Sequence, residues 1–149
     1  AVFVLFTNSF LAVNRSYAVV RTAMTLDSAA ISSMERMTRE VRGATTIDTA
    51  QSVLGINPGV LVLDMVDDFG NTSKVTFSLI NQTLHLSKDG IDQGVLLPPS
   101  ITVPSLVFYG LDSGSSKAVK IEMQLRDSES GVTRSQLYYS TVILRGSYK

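Results

Sequence analysis

The chain of 149 residues contains no cysteine, no tryptophan and a single histidine, His85. The absence of cysteine excludes disulfides and thiolate metal sites. Without a second histidine or a Gly-x-Ser-x-Gly sequence, nothing supports nucleophilic catalysis by a serine. The formal net charge is zero and Lys and Arg are scattered, so the charge predicts no contact with nucleic acid. We therefore expect neither an enzyme nor a bound cofactor.

Helix-breaking residues are also missing from the first part of the chain, which has no proline and no glycine before Gly43. Its apolar residues recur at steps of three and four, which places them on one face of a helix. They are Val13, Tyr17, Val20, Met24, Ile31, Met34, Met37 and Val41. The pattern predicts one helix from Ala1 to Arg42, about 60 Å long. We expect Met34 and Met37 to lie in the core and leave Met24 open.

The first thirteen residues, Ala1 to Val13, carry no charge and are mostly apolar. They are fewer than the roughly 20 residues that a membrane-spanning helix needs. Thr7, Asn8 and Ser9 interrupt the apolar run, as expected where a helix packs closely against partners. The candidate residues for a contact with a membrane or with partner helices are Val2, Phe3, Leu5, Phe6, Asn8, Phe10, Leu11 and Val13.

After Thr45 the apolar residues alternate with a period of two, which is typical of strands. Six stretches show this pattern: 59–67, 74–80, 83–88, 105–111, 117–126 and 132–145. We predict an α+β fold in which residues 14–44 of the helix pack on an antiparallel β domain of about six or seven strands, residues 45–149. Residues 1–13 are the uncharged opening segment of the helical region, residues 1–44.

A group of oxygen-bearing side chains surrounds the turn that follows the first of these stretches. Asp64, Asp67, Asp68 and Asn71 lie there, and carboxylate and amide oxygens are ligands for calcium. Their spacing does not match an EF-hand, and Asp, Gly and Asn are ordinary turn residues. They are weak calcium candidates, and the sequence predicts no other metal site.

Several phrases follow one another in an order known from a protein family. The helix closes with Met34-Glu35-Arg36, Arg39-Glu40 and the stretch from Arg42 to Ile47. The phrases NPGVLVLD, KVTFSLINQTLHL and ITVPSLVFYGL come next. Together they resemble type IV pilin-like proteins, in particular the larger pseudopilins and minor pilins of secretion, competence and pilus systems. The resemblance covers essentially the whole chain.

Members of that family carry a leader peptide and then a hydrophobic helix with a glutamate a few residues in. Here the fifth residue is Leu5, and no leader or cleavage signature is present. The resemblance implies that residues 1–13 are the membrane or filament-core segment, the second half of the family's hydrophobic helix. We expect about ten further residues upstream of Ala1.

The resemblance implies a structural subunit of a type IV pilus-like filament, or of a type II secretion or competence pseudopilus. Its partners would be other pilin or pseudopilin subunits, in a filament of one or several subunit types. It implies a single-pass location in the inner membrane before assembly and a cell-surface, extracellular or periplasmic filament afterwards. The alternative is a membrane-anchored, monomeric module for surface binding or adhesion.

Overall fold

The computed structural model describes residues 2–129 and 132–147. Helix α1, Val2–Gly43, precedes eight strands in this part of the chain. They are β1 Thr46–Ile47, β2 Leu61–Val66, β3 Thr72–Ile80, β4 Thr83–Lys88, β5 Ile91–Val95, β6 Ile101–Asp112, β7 Lys117–Glu129 and β8 Val132–Ile143, and a 3-10 turn, Arg145–Ser147, follows. The strands form two antiparallel sheets, β1-β2-β3-β4-β5 and β6-β7-β8. The prediction of an α+β chain with a long N-terminal helix and antiparallel strands is confirmed.

The C-terminal half of α1 packs on β7 and β8. Its buried residues are Thr22, Leu26, Ala29, Ala30, Ser33, Met37 and Val41. Met37 is buried and Met34 packs against the core, as predicted. Tyr17, Val20 and Ile31 were predicted on the same face but are exposed. The buried stripe instead combines small side chains such as Ala30 with the larger Leu26 and Met37.

The hairpin between β3 and β4 follows the predicted alternation. Phe77 and Leu86 are cross-strand partners, and both are buried. Its turn is Asn81-Gln82, whose φ angles are 51° and 59°. Positive φ at both central positions is the requirement of a type I′ turn, which matches the twist of the flanking strands.

Strand β6 begins at Ile101, four residues earlier than predicted. The added residues include Pro104, which lacks the N–H that a regular ladder needs. The register between β6 and β7 shifts between Thr102 and Ser105, so Pro104 lies at an irregularity of the ladder. Proline is tolerated in sheets at such bulges, which explains why the strand continues through it.

Candidate assembly surface

The N-terminal part of α1 lies away from the two sheets. Every side chain from Phe3 to Tyr17 is exposed, and continuous burial begins only further along the helix. At 1.5 Å per residue, residues 3–17 span about 21 Å. This part of the helix therefore has no partner within the described chain.

The candidate residues predicted for this segment lie on that exposed surface. They are Phe3, Leu5, Phe6, Asn8, Phe10, Leu11 and Val13. The exposed fractions of Phe3, Phe6 and Phe10 are 87%, 78% and 65%. With Thr7, these three rings surround an apolar concavity of about 430 Å³. The side chain of Val2, the remaining candidate, lies outside the described residues.

The polar side chains of this segment differ in whether they have a hydrogen-bond partner within the described chain. The Thr7 hydroxyl donates to the Phe3 carbonyl at 2.9 Å, within the helix itself. The Asn8 amide has no hydrogen-bond partner in the described part of the chain and is exposed. Asn8 can therefore donate and accept across a contact with another molecule.

The prediction of a single-pass membrane anchor is wrong. Over the described residues, no helix is both long enough and apolar enough to cross a membrane. Residues 3–13 extend about 15 Å along the helix, whereas the hydrocarbon core of a bilayer is about 30 Å thick. Arg15 and Arg21 follow before that length is reached.

A cleft continues the apolar surface along α1. Tyr17, Val20 and Met24 form its helical side, and Leu96 and Pro98 from the β5–β6 connection form the other. Its volume is about 600 Å³. The position of Met24, which the sequence left open, is therefore on this exposed surface and not in the core.

The calcium candidates do not converge on one point. Asp67 accepts hydrogen bonds from the backbone N–H groups of Phe69 and Asn71, and from the Asn71 amide at 2.8 Å. These bonds, of which the one from the Asn71 side chain has the largest effect, hold the pKa of Asp67 below its usual value. Asp68 is exposed. No group of three or more acidic or histidine side chains in the described residues could hold a metal ion.

Asp64, the fourth candidate, belongs to an ion cluster with Lys74 and Asp48. The Lys74 ammonium group bonds to the Asp48 carboxylate and lies 3.6 Å from that of Asp64. The bond to Lys74 lowers the pKa of Asp48, and the same bond raises the pKa of Lys74. This cluster joins the chain after β1 to the paired strands β2 and β3, a structural role that needs no metal.

The side chain of His85, the single histidine, is only 15% exposed. Its Nδ1 lies 2.9 Å from a carboxylate oxygen of Asp92 on β5. The backbone N–H of Gly94 and the His85 contact lower the pKa of Asp92. The pair joins β4 to β5 across an irregular register.

Two polar features were not found from the sequence. The Tyr138 hydroxyl donates to the Asp27 carboxylate at 2.8 Å, which ties β8 to α1. Burial and the Asp27 contact raise the pKa of Tyr138 well above its usual value of 10. Asp127 on β7 is fully buried. The alternation of buried residues that ends at Leu125 could have indicated its position, whereas no local signal links Tyr138 to Asp27.

Among the features described above, the exposed apolar part of α1 is the surface best suited to a contact with another molecule. No protein-family model, curated protein or solved structure matches the chain.

Proposed function

We propose that this chain is a structural subunit of a filament of the type IV pilus or pseudopilus kind, with a pilin-like fold. It assembles through the exposed N-terminal part of α1, and its partners are further pilin-like subunits, of the same or a related chain. The observation that carries the proposal is the exposure of Phe3, Phe6 and Phe10 on a helix that projects from the sheets.

The size and continuity of this surface support an assembly role. Large exposed apolar patches on soluble domains mark interaction sites. Here the patch runs from Phe3 through Tyr17 to the cleft at Met24 and Leu96. Burying the large apolar side chains on one helix against those of a neighbour would remove this surface from water, which stabilises association.

The polar groups within the patch support a specific packing. An apolar contact alone would tolerate many orientations of one helix against another. Asn8 lacks an internal partner in the described part of the chain, so in a contact it would hydrogen-bond to a neighbouring helix. Thr7 and Ser9 are small enough for backbones to approach closely.

The test compares the full chain with three full-length variants by sedimentation velocity and electron microscopy. Phe6→Ser removes an exposed ring from the patch, and Asn8→Leu keeps the apolarity but removes the polar group. Phe69→Ser is the matched control, because Phe69 is 91% exposed on the β2–β3 turn and is not part of the exposed patch of α1.

We expect the wild-type chain and Phe69→Ser to form filaments at the same concentration. Phe6→Ser and Asn8→Leu should raise that concentration about tenfold or more, as for the loss of a central contact residue. Far-ultraviolet circular dichroism should show the same fold for all four. A wild-type chain that stays monomeric, or equal assembly by Phe6→Ser and Phe69→Ser, would refute the proposal and favour a monomeric binding module.

A further inference from the structure

Strand β8 forms one edge of the three-stranded sheet. The backbone of residues 135–143 bonds only to β7 within the described part of the chain. The N–H of Leu144 donates to the carbonyl of Lys117 at 2.9 Å, so Leu144 is one of the residues that bond to β7. Along an antiparallel strand, residues that bond to a given neighbour alternate with residues that do not. The N–H and C=O groups that face outward therefore belong to alternate residues. These are Ser135, Leu137, Tyr139, Thr141 and Ile143, and all five are exposed.

The other sheet edges are short, irregular or covered. The outer edge of β6 is covered by residues 55–59, because the N–H groups of Gly55 and Gly59 donate to the carbonyls of Phe108 and Leu106 at 2.7 Å. Strand β1 has two residues, and β5 has five with a register shift against β4. Such features prevent pairing between sheet edges. In the described structure β8 has twelve residues, and its central residues are neither covered nor shifted in register.

The composition of β8 favours pairing. Residues 135–143, SQLYYSTVI, contain no charged residue, proline or glycine. Their aromatic and β-branched side chains are typical of strands, and uncharged segments of this kind pair readily. Positive charge lies only at the two ends, with Arg134 before the segment and Arg145 after it. Arg42 of α1 lines a cleft together with Arg145 and the end of β8.

We infer that β8 pairs antiparallel with β8 of a second copy of this chain, which joins two three-stranded sheets into one of six strands. With Tyr139 opposite its own copy, Leu137 faces Thr141 and Ser135 faces Ile143. Each hydrogen-bonded pair exchanges two bonds, so the five outward-facing residues supply about ten.

Charge determines the orientation of this pairing. In the antiparallel register Arg134 faces Leu144 of the other copy. A parallel, in-register pairing would place Arg134 beside Arg134 and Arg145 beside Arg145, and like charges directly opposite each other destabilise a sheet. The antiparallel dimer still brings arginines towards each other at its ends, so higher salt should strengthen it.

The dimer and the proposed filament use different surfaces, the edge of β8 and the N-terminal part of α1. A two-fold axis through paired β8 strands sets the two α1 helices antiparallel. A filament in which every α1 points the same way cannot contain this contact. Failure of either proposal therefore leaves the other standing.

The first test uses the absence of cysteine from the chain. Tyr139→Cys introduces a lone thiol whose Cα would lie about 5.5 Å from that of the second copy, within disulfide range. Phe69→Cys is the control, because Phe69 is exposed on the β2–β3 turn and does not belong to β8. Both full-length variants carry Phe6→Ser, which limits contacts through α1. Under mild oxidation we expect a covalent dimer of Tyr139→Cys and little of Phe69→Cys.

The second test measures dimerisation by sedimentation equilibrium, again in the Phe6→Ser chain. Leu137→Lys places a charge on the pairing edge, whereas Leu111→Lys places one on β6 at similar exposure, 44% against 47%. We expect Leu137→Lys to weaken the dimer about tenfold or more and Leu111→Lys to leave it unchanged. A monomer at every concentration and salt, equal effects of the two lysines, or equal cross-linking of the two cysteines would overturn the inference.

Discussion

The buried carboxyl group of Asp127 leads to a prediction about stability. The side chain is fully buried in line with Met123 and Leu125, on the face of the sheet against which α1 packs. Neither of its oxygens has a hydrogen-bond partner in the described structure. Its cross-strand neighbour is Arg134, which is exposed and forms no ion pair with it there.

Removing this carboxyl group should stabilise the protein. A buried polar group without a partner costs about 1–3 kcal/mol. Valine replaces it with an apolar, β-branched side chain that suits a strand. We therefore expect Asp127→Val to raise the free energy of unfolding by about 1–3 kcal/mol. Asp127→Asn removes the charge but leaves an unsatisfied amide, so its gain should be smaller.

The assay is urea unfolding at pH 7, followed by circular dichroism. A higher midpoint with an unchanged slope would report a change in stability alone. Asp68→Val is the control, because Asp68 is exposed on a turn and its replacement should change stability by less than about 0.5 kcal/mol.

The opposite result would refute this reasoning. If Asp127→Val lowers the free energy of unfolding, the carboxylate has a stabilising partner in solution, and Arg134 is the nearest candidate by register. A double-mutant cycle with Arg134→Gln would then show a coupling energy, whereas independent side chains give additive changes.

Two further predictions concern hydrogen bonds between distant parts of the chain. Tyr138→Phe should lower the free energy of unfolding by about 1 kcal/mol at pH 7, because it removes the bond to Asp27. Burial raises the pKa of Tyr138 in the folded state. The stability that its hydrogen bond contributes is therefore full below pH 10 and falls at higher pH. The unfolding curves of the wild-type and Tyr138→Phe proteins should converge above pH 10. Lys74→Met should lower the melting temperature at pH 7, and by less at pH 2. The hydrogen bond from Lys74 lowers the pKa of Asp48. The stability that this ion pair contributes is therefore present above the usual pKa of 3.8 and is lost as the pH falls through the lowered pKa. An equal effect of Lys74→Met at both pH values would exclude this account.

The sequence by itself determined the types of the main elements. The absence of proline and glycine before Gly43 allowed one continuous helix, which runs to that residue. The period-two alternation predicted strands where β2, β3, β4, β6, β7 and β8 lie. These features could be predicted because helix and strand patterns depend on neighbouring residues in the chain. The exposed segment with Phe3, Phe6 and Phe10 was also identified from composition alone.

The tertiary structure decided which side chains of α1 are buried. Val20, Met24 and Ile31 looked as suitable for burial as Leu26, but the strands cover only the face of Leu26. Thr22 lies on that buried face although it is polar, because its hydroxyl donates to the Ala18 carbonyl at 2.8 Å. Such internal satisfaction cannot be seen in a hydrophobic pattern.

Only the tertiary structure brought together groups that are remote in sequence. Tyr138 and Asp27 are 111 residues apart, and Lys74 and Asp48 are 26 apart. The structure likewise divides the strands into two sheets and places β8 at an edge of one of them. These features depend on contacts between elements, and the local alternation that predicts each strand carries no information about its neighbours.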